Sequence, residues 1–542
     1  MLLIDTYKVK WLTLGEIRTF TIKITQKMTA QILIIDLGSQ YTQVIRRSLR
    51  YLGYKSEIVS PEESLEWAKQ NKPKGIILSG GSASVYDKDA PKPPVKLLGL
   101  GIPVLGICYG MQWLAYVHDK KSVHATTEGK SYGPVKIEFP NYTKNYKNKL
   151  FFGIAWGLEK AWSSHGDSVK YAPIGFGVTA TSNSGKVIEA IENPQMKYWG
   201  VQFHPEVEQT EDNNIILKNF TETICGCRKD YSANEMMDQI LSATKKALGK
   251  NGKAIIGVSG GVDSTTLAAI FAPVLGNRLK AFTIDTGGMR KGEIEQIEQI
   301  AKSAKIDLEV LDYSDQFIAN VSQTTDAEEK RRKFREVYKM AFYHVARKFH
   351  ATHVIQGTLA TDLIESGASG KSALIKTHHN VGLEFGLKEI MPLADFFKFE
   401  VRKLAEEIGL KELISKRQPF PGPGLYLRIV GLPVTRERLE IVRKADQIVK
   451  DILISRRLYD QISQTVVGLW STKTVGVKGD GRVYGYSIVV RTVKTTDFMT
   501  TKPFHLPDEV EDEITNELVK NPSIVRVTFD YTPKPPATTE FE

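Results

Sequence analysis

Cysteine is nearly absent: Cys108, Cys225 and Cys227 are the only three in 542 residues. No pair has the C-x-x-C spacing of a zinc or redox site, and three thiols make no disulfide framework, so a reducing cytoplasm fits best. Long apolar runs are also missing. No stretch approaches the roughly 18 apolar residues that span a bilayer, so no membrane partner is expected. Residues 1–27 mix Lys8, Lys10, Glu16, Arg18 and Lys23 among their apolar residues and lack the core of a secretory signal. A sharper pattern begins at Met28, and residues 1–29 are set aside as an N-terminal extension. Neither sign of charge dominates. Lys and Arg number 73 against 62 Asp and Glu, a net +11 that suits anionic ligands, nucleotides as readily as nucleic acid. With 42% hydrophobic and 25% charged residues the composition is that of an ordinary globular chain. At about 150 residues per domain this length makes three to four domains.

What is present is a repeated strand-loop-helix grammar. Ile32-Leu33-Ile34-Ile35 runs into Asp36 and Gly38, Gly75-Ile76-Ile77-Leu78 into Ser79-Gly80-Gly81, and Val104-Leu105-Gly106-Ile107 into Cys108. Continuous apolar runs of this kind read as buried parallel strands, whose sites lie at their carboxyl ends. A polar connector over 208–232 separates this domain, 30–207, from a second α/β domain, 233–418. The latter opens with Ala254-Ile255-Ile256-Gly257-Val258 and continues through Ala281 to Asp285 and His353 to Gly357. Beyond a Pro/Gly-rich loop at Pro419 to Gly424, a charged helix from about Thr435 to Leu458 gives way to strands at Tyr484–Val490 and Ile524–Phe529. The expected fold is α/β: two doubly wound parallel-sheet domains followed by a smaller α+β C-terminal domain, 419–542.

The first site is a thiol. Gly106-Ile107-Cys108-Tyr109-Gly110 places a cysteine on a tight strand-to-helix turn, with flanking glycines that tolerate strained backbone angles. A helix N-terminus stabilises thiolate and offers amides to an oxyanion. The base is expected from Val201-Gln202-Phe203-His204-Pro205-Glu206, with Glu206 orienting the imidazole, so the triad is Cys108, His204 and Glu206. A lone buried cysteine is usually a small core hydrophobe, but the two contexts together in one α/β domain reverse that reading. Residues 30–207 resemble the class I glutamine amidotransferases. The resemblance implies attack of Cys108 on the glutamine side-chain amide, Gly81 and Tyr109 amides as oxyanion donors, and Gln112, Ser164, His165, Gly166 and Asp167 as the glutamine-holding set. Ser82 stands where many relatives have proline.

The second site is an anion cradle. Ser259-Gly260-Gly261-Val262-Asp263-Ser264 follows a buried strand and opens an apolar helix, so backbone amides and hydroxyls point into one phosphate-sized space. It lacks the Walker ending, and Asp263 in an anion site makes sense with magnesium bridging it to phosphates. A bare Ser-Gly-Gly helix cap is the plainer alternative. The six residues resemble the pyrophosphate loop of the ATP pyrophosphatases, which adenylate a substrate oxygen using ATP.

An ammonia generator joined to an adenylating domain implies amination of an activated carbonyl. From Ala30 to Glu542 the chain resembles the glutamine-hydrolysing GMP synthetase family, through Gln356-Gly357-Thr358, Ile375 to Gly382, Pro419 to Leu425, Val475 to Arg482 and Lys534 to Glu540. The resemblance implies that xanthosine monophosphate (XMP) is adenylated on its C2 oxygen and aminated to GMP, with AMP, pyrophosphate and glutamate as the other products. Lys376 then reaches the ATP phosphates, Arg331, Asp480, Arg482, Lys534 and Glu540 hold XMP, and the C-terminal domain pairs two subunits. The other expected partners are XMP, ATP and glutamine, without nucleic acid. Ile284-Asp285-Thr286-Gly287-Gly288 departs from the usual Val-Asp-Asn-Gly-Leu, and Phe541 replaces a tryptophan. Two rival readings are a glutamine-dependent ligase acting on a nicotinate nucleotide and a nucleic-acid-binding regulator with decayed sites. The intact Cys108, His204, Glu206 and Asp263 speak against the second.

Overall fold

The computed structural model describes residues 6–13, 16–23, 30–125, 131–139, 148–154, 157–207, 209–360, 362, 387–410, 418–495, 501–534 and 536–542. Lys376 and the 375–382 motif lie outside the described residues. The chain divides into two compact units, one built mainly from Lys23–Met236 and the other from Met237–Glu542 together with Thr6–Ile22. Strands Thr6–Thr13 and Glu16–Lys23 form a two-stranded sheet.

In the first unit, five parallel strands lie in the order Ser56–Val59, Ile32–Ile35, Gly75–Leu78, Val104–Ile107, Tyr198–Val201. All but the edge strand are buried at every position, as strands covered on both faces must be. Four antiparallel strands extend the sheet: Val187–Asn193, Gly177–Ser182, Ser131–Glu138 and Gly157–His165. Apolar clusters fill both faces, one with Ile34, Leu105 and Val201, the other with Leu78, Met111 and Trp113.

Besides the two-stranded sheet, the second unit holds two larger sheets. In the first, Leu308–Asp312, Leu279–Asp285, Ala254–Gly257, His353–Ile355 and Lys388–Ile390 are all parallel. The winding reverses between Ala254–Gly257 and His353–Ile355, and such a switch point opens a crevice at the strand ends. The second sheet is built on a long hairpin, Gln464–Lys478 against Gly481–Lys494, with Ile524–Asp530 parallel to it. Helix Arg436–Ser455 starts where Thr435 accepts the Arg438 N–H at 3.2 Å and buries Leu439, Val442, Val449 and Leu453 at helical spacing. One apolar cluster runs from Ile255 and Phe342 through Tyr426 to Val442, Ile488 and Ile514, so the two sheets share a core. Among the described residues no helix is long and apolar enough to cross a membrane.

Candidate active site

Three adjacent strands of the first unit end together, delivering Ser79-Gly80-Gly81, Cys108 and Gln202 to His204 to one edge. Cys108 is the N-cap of helix Tyr109–His118, at φ 53° and ψ −107°. This is the side of backbone space that costs a non-glycine residue roughly 1–3 kcal/mol. The conformation is held from both sides: Cys108 N–H donates to Val201 O at 2.7 Å, and Gln112 N–H to Cys108 O at 3.1 Å. The strain therefore falls on the cysteine and not on its glycines, as the sequence pattern had implied. Neither Gly106 nor Gly110 has a positive φ. They are needed for close approach, since a Cβ on Gly106 lies 2.5 Å from the Gly110 carbonyl and one on Gly110 lies 2.5 Å from Leu78 O.

His204 Nδ1 donates to Glu206 Oε1 at 2.8 Å, and both residues are buried. Tyr41 packs edge-on against the imidazole at 4.9 Å, and a Cβ on Gly80 would come within 3.0 Å of its Cε1. Burial opposes the imidazolium, but the charge of Glu206 and the side-chain hydrogen bonds to Cys108 and Glu206 outweigh it and hold the histidine well above its ordinary pKa. A cationic imidazolium beside sulfur favours the thiolate, the form that attacks.

The glycine loop lies against this elbow: a Cβ on Gly81 would meet Leu37 O at 2.4 Å and the Tyr109 ring at 3.3 Å. Without a proline at 82, the Ser79 hydroxyl braces the loop by accepting Leu37 N–H and donating to Gly80 O, both at 2.9 Å. Cys108 Sγ is 3.8 Å from Ser164 O. Asp167 accepts the Tyr86 hydroxyl at 2.9 Å, while its backbone oxygen accepts from Gln112 Nε2 at 2.8 Å and His165 Nδ1 at 3.0 Å. Burial pushes His165 down to about 4, so its ring is neutral beside His204. Sequence reasoning missed Tyr86 and Gln202. Gln202 stood inside the histidine motif without a role, yet its Nε2 lies 3.6 Å from Cys108 Sγ.

In the second unit the Ser259–Ser264 loop sits at the switch point. Gly260 takes φ 71°, Ser264 Oγ accepts Ser259 N–H at 3.1 Å, and the 14-residue helix Val262–Leu275 points its positive end at the loop. Gly357, from the end of strand His353–Ile355, closes the other side: a Cβ there would lie 3.3 Å from the Asp263 Cβ. Its neighbours Gln356 and Thr358 keep buried side-chain polar atoms without a partner among the described residues. Asp263 Oδ2 pairs with Lys398 Nζ at 2.6 Å, while its buried Oδ1 has no partner among the described residues. Burial raises the Asp263 pKa despite Lys398, and the nearby Asp362 raises it further. Lys398, 135 residues away, carried no local signal.

Gly288 explains one sequence departure: a Cβ there would lie 2.5 Å from the Tyr426 ring, so leucine is shut out unless Tyr426 moves. Arg331 forms an ordinary helix-surface pair with Glu328 at 2.6 Å. Its neighbour Lys330 is buried, bonded to Glu542 Oε2 at 2.6 Å and to Ile429 O. Glu540 accepts from Arg428 Nη2 at 3.3 Å and Gln464 Nε2 at 2.6 Å, and Lys534 pairs its backbone with Thr501 at 3.1 Å. Asp480 and Arg482 are elsewhere, exposed at the hairpin tip, with Arg482 over the Tyr484 ring at 5.4 Å. Strand register puts the tip 14 residues beyond Gln464, about 45 Å at 3.3 Å per residue. One chain thus keeps Glu540 apart from Asp480 and Arg482.

Three family models match successive stretches of the chain. The class-I glutamine amidotransferase family matches residues 33–224, the asparagine synthase family 236–378, and the GMP synthase C terminal domain 451–541. The chain is 38% identical over 527 residues to GMP synthase (glutamine-hydrolyzing) of Treponema denticola, covering 95% of this chain and 98% of that protein. It is 40% identical over 518 residues to the enzyme of the same name from Thermus thermophilus, covering 94% and 100%. Over 519 residues it is also 40% identical to that of Campylobacter jejuni, covering 95% and 99%.

Proposed function

As the chain belongs to the family of glutamine-hydrolysing GMP synthases, we propose that its two constellations divide that reaction between them. The chain is a glutamine-dependent ligase that forms GMP and uses ATP. Cys108 attacks the glutamine side-chain carbonyl, His204 protonates the departing ammonia and then activates water against the thioester, and Glu206 orients the imidazole. The Gly81 and Tyr109 amides receive the oxyanion, and Gln112 with Ser164, His165, Gly166 and Asp167 hold the substrate. In the second unit Ser259–Ser264, with Lys376, hold the ATP phosphates while the C2 oxygen of XMP attacks the α-phosphorus. Pyrophosphate leaves, and ammonia then displaces AMP to give GMP.

Magnesium fits this cradle, where it supplies charge neutralisation for the phosphates. The support is Asp263, with its unpartnered Oδ1 and Asp362 close by. No cluster of three or more metal-binding side chains exists among the described residues; Asp263 would hold the ion, which would supply charge neutralisation. Since one chain keeps them apart, Arg331, Lys534 and Glu540 of one copy hold XMP together with Asp480 and Arg482 of a second copy. The match over 451–541 favours XMP over a nicotinate nucleotide. A homodimer is the assembly we infer: Trp470, Val475, Val477 and Tyr484 expose 37%, 40%, 76% and 65% of their surface on one hairpin, a patch suited to a second copy. The cytoplasm is the compartment that suits three free thiols.

The observation that carries the thiol half is the buried, strained Cys108 at the strand end that adjoins His204, whose Nδ1 donates to the buried Glu206 at 2.8 Å. The experiment is Cys108→Ala, assayed with glutamine and then with ammonium chloride. Loss of glutamine-driven amination with ammonium-driven amination retained is the expected result. Equal loss with both nitrogen sources contradicts two separate sites.

A further inference from the structure

Gln202 has a place in the thiol site that the triad does not use. Its side chain is fully buried. Nε2 points at Cys108 Sγ from 3.6 Å, and Oε1 accepts from Gln112 Nε2 at 3.3 Å. Gln112 Nε2 also donates to Asp167 O at 2.8 Å. An amide oxygen and nitrogen look alike in shape, and only their partners decide which faces where. Here Gln112 offers a donor, so the Gln202 oxygen must face it and the Gln202 N–H must face the sulfur. The main chain here is also held, Gln202 N–H donating to Glu189 O at 2.8 Å across the neighbouring strand. The amide is therefore a preset donor aimed at the reacting atom from another direction than His204.

We propose that Gln202 is a further catalytic residue of the amidotransferase reaction, donating an N–H hydrogen bond to the Cys108 thiolate, with Gln112 as the positioning residue that fixes its orientation. The assignment rests on Cys108 being the nucleophile. A hydrogen bond to a charged acceptor is about twice as strong as a neutral one, and a donor favours the ionised thiol. Because the amide is neutral, it carries no charge that must change during turnover, whereas His204 must give up its proton. The two groups thus divide the work: His204 moves protons, and Gln202 keeps the sulfur anionic and in line.

The test uses the full chain and iodoacetamide, following alkylation of the Cys108 peptide by mass spectrometry between pH 5 and 9. Gln202→Leu is expected to move the alkylation midpoint up by about one pH unit and to lower glutaminase kcat about tenfold with KM within twofold, while ammonium-driven amination stays at the wild-type rate. Gln202→Glu, nearly isosteric, sets a carboxylate beside the sulfur and is expected to move the midpoint further up, which covers the case in which the leucine variant does not fold. An unchanged midpoint and kcat in a variant with wild-type ammonium-driven activity would overturn the proposal. So would a raised KM at unchanged kcat, the mark of a mere substrate contact. Failure of the underlying reading looks different: Cys108→Ala would keep its glutaminase activity.

Discussion

Glu189 offers a prediction whose size follows from the structure. Its side chain is fully buried, the Ser182 hydroxyl donates to one carboxyl oxygen at 2.7 Å, and the other oxygen has no partner among the described residues. Burial lifts its pKa from an ordinary 4.5 to about 7 against the weaker pull of Ser182. The folded state thus holds this proton more tightly than the unfolded chain. The associated stability is fully present below pH 4.5 and is lost as pH rises toward 7 and beyond. With one pKa unit equal to about 1.4 kcal/mol, ionising the folded carboxyl costs about 2.5 kcal/mol more at pH 8 than at pH 5. Glu189→Gln removes the titration while keeping an acceptor for Ser182. Urea unfolding of the full chain at pH 5 and pH 8, wild type against Glu189→Gln, isolates the effect as a double difference. The variant should gain about 2.5 kcal/mol on wild type between the two values. A difference under about 0.5 kcal/mol, or one of opposite sign, would refute the argument that this carboxyl is desolvated.

The remaining predictions concern the second unit and the elbow. Asp263→Asn should lower ATP-dependent pyrophosphate release at least 100-fold while leaving Cys108 alkylation by iodoacetamide unchanged; parallel loss of both would contradict the division of labour. Lys330→Met strands the Glu542 carboxylate, 8% exposed in a pair whose lysine is fully buried, and should cost about 3 kcal/mol in urea unfolding. Lys330→Met/Glu542→Gln should recover part of that loss, and no recovery would mean that packing dominates. Gly110→Ala forces a Cβ to 2.5 Å from Leu78 O and should destabilise the chain by about 2 kcal/mol. An unchanged unfolding midpoint would show that the strand-helix contact yields.

Sequence carried the elbow and the cradle because each joins a continuously apolar strand to a helix through a few special residues, all within one local window. It carried less where the pattern is long-range or two-sided. The strand Ser131–Glu138 alternates between half-buried and exposed along most of its length, so the antiparallel half of the first sheet left no apolar run to read. Lys398 and Lys330 meet partners 135 and 212 residues away, and no window spans such pairs. The glycines of the elbow were legible as glycines, but their reason was not. Only the folded strand end puts Leu78 O where a side chain would stand, and only then does the strain fall on Cys108. The residues proposed to hold XMP were legible as motifs, but the length of the hairpin that separates Asp480 from Glu540 came from strand register.

The most direct test of the central claim, that ammonia freed at Cys108 is used at the Asp263 cradle, is a single incubation with XMP, ATP, magnesium and glutamine labelled with nitrogen-15 in its amide. Mass analysis of the products is expected to find GMP carrying the label, with AMP and pyrophosphate in equal amount. Unlabelled or absent GMP, or ADP and phosphate in place of AMP and pyrophosphate, would contradict it.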